Sequence, residues 1–236
     1  TASTRATGKT AKARTRATDK SAREKEVAAL RKKLDTARKL MDWLLGLDKT
    51  PERYSLSGKV FKCYALLAES NAAREVNLKK AKDEYLRGYK LAKERPGLQK
   101  NLIFPGVNVV ACGLLLSGMR AAELQTIVEE CQQALDGGLA ADGSFWTAVA
   151  GPELRLLGWL LSGELPKHEK DVIDRYTKVF TEYSVSPAEA ESVLWQLAFL
   201  RAMIEARPAS KQNAAVVKSL REIHKALLQL LEPKGA

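Results

Sequence analysis

The sequence offers few side chains that could carry out acid–base or metal chemistry. It contains two histidines, His168 and His224, and each stands beside a charged neighbour on a predicted helix. For each of them we expect a solvated helix residue rather than a catalytic base or a metal ligand. The acidic clusters at 129–131 and 171–174 lack the further histidine or cysteine partners that a transition-metal site needs. No nucleophile elbow or dinucleotide-binding glycine pattern occurs. The sequence therefore predicts no enzyme activity, no cofactor and no metal.

Residues 1–20 form a basic tail without large apolar side chains. Six basic residues stand against one acid, Asp19, and the first residue that could contribute substantially to a core is Val27. We expect this tail to be disordered in isolation, because it cannot offset its ordering entropy. Spaced cations are sufficient for nonspecific contact with nucleic acid phosphates. A solubilising tail or a tether to a partner is the alternative interpretation. The candidate nucleic-acid contacts are Arg5, Lys9, Lys12, Arg14, Arg16 and Lys20.

Length and charge place the rest of the chain among ordinary globular domains. The 236 residues carry a net charge of +11, and they are enough to bury a sizeable core. No apolar run reaches membrane-spanning length, and no signal-type apolar segment stands at the N-terminus, so we expect a cytoplasmic protein. The three cysteines lack a C-x-x-C spacing and fit a reducing compartment.

Nine helices and no convincing strand are predicted from periodicity and helix-end signals. Ser21-x-x-Glu24 is a capping box that predicts a helix from Ser21 to about Leu47. Its apolar seam could form a coiled-coil homodimer through residues 21–47, or it could pack on the domain's own first hairpin. Ser186-Pro187-x-Glu189 is a second capping box, and Pro208 ends the helix that follows it.

The stretch from Thr50 to Pro96 has the pattern of a tetratricopeptide repeat, in which small residues let two antiparallel helices approach closely. The gap between Phe61 and Ala81 is longer than the standard repeat, which predicts extended helices or a longer turn. A near-copy, GLLLSG at 113–118 and GWLLSG at 158–163, recurs with an offset of 45 residues. We therefore predict an all-α, tetratricopeptide-like α-solenoid of about four helical hairpins with an extra N-terminal helix, within residues 21–236. The pattern is carried by Tyr54, Ser57, Gly58, Phe61, Ala81, Tyr85 and Pro96.

Three short motifs carry a more specific resemblance. They are ER-x-SL-x-G-x-x-FK-x-x-A at 52–65, FPGVN at 104–108, and Trp146-Thr147 followed by Glu153 and Gly158. Together they make residues 50–205 resemble the bacterial tetratricopeptide family related to the TRAF-binding region of certain MAP-kinase kinase kinases. The resemblance implies a helical-repeat interaction module that works beside a signalling or defence effector, without a catalytic residue. Pro152 departs from the third motif and disfavours a continuous helix there.

The repeat register places candidate partner-binding residues on the concave face of the stack. Gly58 sets a register in which Lys59 and Lys62 point inward, and the register set by Trp146 points Arg155 inward. A groove with these cations would prefer an acidic peptide or a C-terminal carboxylate. The alternative is that all three are ordinary solvated residues. We therefore expect a non-catalytic adaptor or regulatory partner of an effector, with a nucleic-acid-associated protein as the alternative function.

The four tryptophans lie near the apolar sides of predicted helices, and we expect them to pack in the core. Stacking on nucleic acid bases would need exposed rings interleaved with basic residues, a pattern that the sequence does not display. The residues concerned are Trp43, Trp146, Trp159 and Trp195.

Overall fold

The computed structural model describes residues 4–138 and 143–232, with side chains from residue 22 onward. These residues form nine α-helices and no strand. The helices are α1 (Thr4–Leu47), α2 (Pro51–Leu66), α3 (Asn71–Glu94), α4 (Ile103–Leu114), α5 (Ala121–Asp136), α6 (Phe145–Ser162), α7 (Leu165–Glu182), α8 (Pro187–Glu205) and α9 (Lys211–Leu231), with a 3₁₀ turn at Gln99–Asn101. The predicted all-α class is confirmed.

The helices stack as antiparallel hairpins, α2 with α3, α4 with α5, α6 with α7 and α8 with α9. Helix α1 packs on α2, so the predicted contact between the N-terminal helix and the first hairpin is confirmed, while the homodimer stays a prediction. Helix α2 also contacts α4, and it reaches α8 in the last hairpin. The solenoid therefore curls until its first and last hairpins meet. Among the described helices, none is long and apolar enough to span a bilayer.

Several helix ends follow from local sequence. The Oγ1 atom of Thr50 accepts a hydrogen bond from the backbone N–H of Arg53 at 3.2 Å, with Pro51 in the first turn. Ser186 and Glu189 form the predicted capping box at the start of α8. The predicted start at Ser21 is wrong, because α1 begins at Thr4 and runs through that position. The preceding segment is rich in alanine, lysine and arginine, which favour helix, and it contains no proline.

The bounds of α3 and α6 test two further expectations, which concern the long gap between Phe61 and Ala81 and the effect of Pro152 on its helix. The long gap between Phe61 and Ala81 comes from an extended helix, because α3 has 24 residues and only residues 67–70 separate it from α2. Helix α6 continues through Pro152 without a break. A proline removes one intrahelical hydrogen bond, and the surrounding contacts of α6 outweigh that loss, since Pro152 itself is buried.

Small residues set the distance between the helices of a hairpin, as the repeat pattern predicts. A Cβ atom at Gly58 would lie 2.7 Å from the ring of Tyr85, which is fully buried in α3. A Cβ at Gly113 would lie 2.5 Å from Leu124 of α5. Gly158 is the counterpart of Gly113 in the near-copy, and we expect a close approach there as well. A Cβ at Gly158 would meet no atom within 4 Å, so that expectation is wrong.

Replacing Gly58 by alanine should lower the free energy of unfolding by about 1–3 kcal/mol, because the rigid Tyr85 ring must move out of a packed core. Chemical denaturation measures the change. The control is Gly46→Ala in α1, where a Cβ meets nothing within 4 Å and helix propensity can add up to about 1 kcal/mol. Equal stability of Gly58→Ala and the unaltered protein would contradict this account of the hairpin.

Candidate functional site

A pocket of about 540 Å³ lies on the inner side of the solenoid, where the first helices of the four hairpins converge. Each of these helices presents residues spaced three or four apart, which therefore lie on one helix face. The principal lining residues are Ser55, Leu56, Lys59 and Lys62 of α2, Phe104 and Asn108 of α4, Trp146 and Glu153 of α6, and Trp195 and Gln196 of α8.

Lys62 lies at the bottom of the pocket and is only 1% exposed. Its Nζ atom donates to Oδ1 of Asn108 at 2.9 Å and to the side-chain carbonyl of Gln196. Aromatic rings surround the same atom, with the centroid of Phe199 at 4.4 Å and that of Trp195 at 4.8 Å. A buried cation is tolerated only with such hydrogen bonds and π faces. One side chain of α2 thus joins the first hairpin to α4 and α8.

Burial lowers the pKa of Lys62 from its ordinary 10.5 to about 8, because the low-dielectric interior disfavours the charged form. The negative charge of Glu153 acts in the opposite direction and favours the ammonium. The neighbouring cation Lys59 lowers the pKa of Lys62 slightly further. The ammonium form is therefore maintained by hydrogen bonds and by Glu153 against a considerable cost of desolvation.

Glu153 is the acidic group of the pocket. Burial raises the pKa of its carboxyl group to about 7, although the positive charge of Lys62 opposes the rise. Within the part of the chain that the structure describes, no hydrogen-bond donor reaches this carboxyl group, and Lys62 influences it only through the field of its charge. Glu153 therefore presents an acceptor toward the pocket interior that the surrounding residues do not use.

The mouth of the pocket is apolar with two cations. Exposed side chains of Leu56, Phe104 and Trp146, each about half accessible, form the apolar part. Lys59 is exposed, and its Nζ atom lies 5.6 Å from the ring centroid of Trp195. Lys100, in the middle of the 3₁₀ turn, also lines the pocket. A ligand that enters would therefore pass an apolar surface flanked by positive charge.

The structure brings two of the three predicted groove residues together. Lys59 and Lys62 both line the pocket, but Lys62 is buried rather than solvated beside Lys59. Arg155 is exposed and does not line the pocket, whereas Glu153 does. Because the two positions differ by about 200° around the helix, Arg155 turns away when Glu153 points inward. Proline at 152 did not shift this register, since α6 is continuous.

Other predicted residues are placed as follows. Trp43 is 60% exposed on α1 and Trp146 is 45% exposed, so the expectation of core packing is wrong for both. Trp159 and Trp195 pack partly buried against the core, and Trp195 also lines the pocket. His168 stacks on Trp159 with ring centroids 3.6 Å apart. The side chains of Arg5, Lys9, Lys12, Arg14, Arg16 and Lys20 lie outside the described residues, and their contact with nucleic acid stays a prediction.

Sequence reasoning missed four pocket residues as a group: Asn108, Glu153, Trp195 and Gln196. Asn108 and Glu153 stand in the motifs of the family resemblance, and that was the available signal for them. Gln196 is a polar residue inside the apolar run 193–200, which could have marked it as a buried hydrogen-bonding group. Among the described residues, no group of three or more histidine, cysteine or acidic side chains is arranged to hold a metal ion.

These features define an α-solenoid of tetratricopeptide type with a pocket on its concave side, a class whose members typically act as non-catalytic protein-interaction modules. Residues 3–113 match the model of the family described as Tetratricopeptide Repeats-Sensor. This match extends through nearly all of α4 and makes that part of the chain similar to the family. No curated protein and no solved structure gives a significant match.

Proposed function

We propose that this chain is an adaptor or regulatory partner of a signalling or defence effector, and that it binds an acidic segment of its partner at the mouth of the concave pocket. The observation that carries the proposal is the position of Lys59, exposed above Trp195 at the entrance to the pocket. An exposed ammonium beside an apolar surface can form a charge-assisted hydrogen bond with an incoming carboxylate.

The charges around the pocket support an acidic rather than a basic partner segment. The lining contains Lys59, Lys62 and Lys100 against Glu52 and Glu153. Glu153 lies inside the pocket, and its raised pKa leaves part of the population uncharged at neutral pH. Among the described residues that line the mouth, Lys59 and Lys100 therefore outnumber Glu52, which gives a net positive entrance.

The proposed role as partner of an effector is supported by the match to a family model and by the resemblance that the sequence motifs carry. The match to the Tetratricopeptide Repeats-Sensor model supports a repeat protein of this type. The resemblance to the TRAF-binding region family of MAP-kinase kinase kinases supports a regulatory function, since such modules work next to signalling or defence proteins. Both relations support protein recognition as the activity of the concave surface.

Replacing Lys59 by glutamate should reduce capture of the partner from the native host by tenfold or more, because an attractive contact with an acidic segment becomes repulsive. Quantitative pull-down with purified variants measures the effect. Lys79→Glu, the same charge reversal at an exposed position of α3 outside the pocket, should capture as well as the unaltered protein.

The melting temperature of Lys59→Glu should stay unchanged, since exposed charges contribute little to stability. Undiminished capture by Lys59→Glu would place the binding surface elsewhere. Equal losses in Lys59→Glu and Lys79→Glu would show that capture depends on overall charge rather than on the pocket.

A further inference from the structure

We propose that the acidic segment bound by this protein carries a tyrosine or tryptophan whose ring enters the concave pocket and donates a hydrogen bond to Glu153. This inference rests on the proposed function and names the chemistry of the partner segment. It follows from three features of the pocket, namely its walls, the charges of Lys62 and Glu153, and the connection that Lys62 makes between α2 and α8.

The walls of the pocket suit a flat ring rather than a carboxylate. Trp146 and Phe104 leave about half of their surfaces exposed at the entrance, and Tyr85 and Trp195 contribute aromatic surface further inside. Aromatic rings pack on one another edge-to-face or offset, and they bury a large apolar area. A volume of about 540 Å³ exceeds what a short acidic side chain could fill. An aromatic residue next to the acid would bury more of these walls than an acidic side chain can.

The buried charges exclude an anion from the bottom of the pocket. Lys62 already donates to Asn108 and to Gln196, and its ammonium is packed against the rings of Phe199 and Trp195. A carboxylate at this depth would be desolvated beside Glu153 and would meet a cation whose donors are mostly engaged. The acidic residues of the segment therefore stay at the mouth with Lys59 and Lys100.

Glu153 selects the kind of ring. Its carboxyl group lines the pocket and, among the described residues, has no hydrogen-bond donor. A phenylalanine ring has no donor and would cover the carboxyl group of Glu153 without giving it a hydrogen bond. Leaving a covered acceptor unsatisfied costs free energy. Tyrosine and tryptophan combine a ring with an O–H or N–H group at its edge, and both can satisfy the carboxyl group. The donor requirement thus distinguishes them from phenylalanine and leucine.

The connection between α2 and α8 favours the entry of a single side chain. The hydrogen bond from Lys62 to Gln196 ties these two helices together at the depth of the buried ammonium group. An extended peptide would have to break this contact to lie deeper along the concave surface. One side chain inserts from a segment that remains outside, which is the usual arrangement of an anchor residue in a recognition motif.

Selection from a library of displayed twelve-residue peptides tests the inference without knowledge of the partner. We expect enriched sequences with a tyrosine or tryptophan within a few positions of aspartate or glutamate. Fluorescence anisotropy with an enriched peptide should then show that replacing its tyrosine or tryptophan by phenylalanine weakens binding by about tenfold. Lys59→Glu should weaken the same peptide.

Two variants of the protein locate the contact. In Glu153→Leu the O–H or N–H group of the peptide's tyrosine or tryptophan no longer has an acceptor. The preference of the protein for these residues over phenylalanine should therefore disappear. Trp146→Ala should weaken binding, whereas Trp43→Ala, which removes an exposed tryptophan of α1, should leave it unchanged. Melting temperatures of the variants show whether each one folds.

The outcomes separate the inference from the function on which it rests. Enriched acidic peptides without tyrosine or tryptophan would overturn the inference and leave the proposed function in place. Enriched peptides without acidic residues, or no enrichment at all, would overturn both. A phenylalanine peptide that binds as tightly as its tyrosine or tryptophan parent would overturn the hydrogen bond to Glu153.

Discussion

Replacing Lys62 by glutamate is expected to lower the free energy of unfolding by about 3–5 kcal/mol, because it leaves an uncompensated charge in a buried site. The ammonium group of Lys62 is the shared donor for Asn108 and Gln196, and its positive charge offsets Glu153 inside the pocket. A glutamate there would place a second carboxyl group near Glu153, and both amide side chains would lose their donor.

Thermal and urea denaturation measure this loss. For a chain of this length, each kcal/mol corresponds to about 2–4 °C in Tm, so a fall in Tm of about 10 °C is expected. Lys62→Met keeps the length of the side chain without the charge, and it should lose less, because it does not add a second carboxyl group near Glu153. Lys59→Glu should melt like the unaltered protein, since Lys59 is exposed. A Lys62→Glu variant with an unchanged Tm would contradict the burial of Lys62.

The destabilisation expected for Lys62→Glu limits which of the two variants, Lys59→Glu or Lys62→Glu, can be used to examine binding. The sequence predicts that both are exposed, so that reversing both charges would affect partner capture and leave folding unchanged. In the structure, a loss of capture after Lys62→Glu would report unfolding and not a lost contact. Lys59→Glu by itself examines the binding surface.

A second large effect is expected in the pH dependence of stability. Glu153 has a folded-state pKa of about 7 against an ordinary value of 4.5. Between these pH values the unfolded chain ionises the carboxyl group while the folded protein keeps it protonated, so this group lowers the free energy of unfolding as pH rises. Since each whole step in pKa corresponds to about 1.4 kcal/mol, the decrease is at most about 3 kcal/mol.

Glu153→Gln should remove that decrease. Urea denaturation at pH 4.5 and at pH 7 should show the variant gaining stability relative to the unaltered protein by up to about 3 kcal/mol at the higher pH. Glu191→Gln on the exposed side of α8 is the matched control and should show no such gain. If the difference between Glu153→Gln and the unaltered protein were the same at both pH values, the pKa of this carboxyl group could not be raised as described.

Lys62 produces the opposite trend at higher pH. Its folded-state pKa of about 8 lies below the ordinary 10.5, so the folded protein releases this proton before the unfolded chain does. The free energy of unfolding therefore rises with pH between these values. Together the two groups make pH 7–8 the region in which the pocket contributes least to stability, and this is the range in which both are charged or close to it.

Periodicity was sufficient to predict the helices because each helix in this fold buries a face of its own. The stripe of Val216, Leu220, Ile223 and Leu227, for example, predicts α9, and all four side chains are buried. Helix ends with a local cause, such as the capping box at Ser186, were also predictable. The start of α1 was not, because the basic segment before Ser21 has no apolar periodicity that could indicate the longer helix.

The repeat register predicted which helices face the concave side, and hence that Lys59 and Lys62 lie near each other. It could not predict that Lys62 is buried. That burial depends on Gln196, which is 134 residues away in sequence and reaches Lys62 only because the solenoid curls until α8 meets α2. Local spacing contains no information about this curvature, which results from the packing of every hairpin on the next.

The sequence by itself thus determined the class of fold, the hairpins and one exposed lysine of the candidate binding surface. Tertiary structure alone decided that the concave face closes into a pocket, that Glu153 rather than Arg155 points into it, and that Lys62 stabilises the closure. The physical reason is that a helix face is set by neighbours three or four residues apart, whereas the burial of a charge is set by groups that only the complete chain brings together.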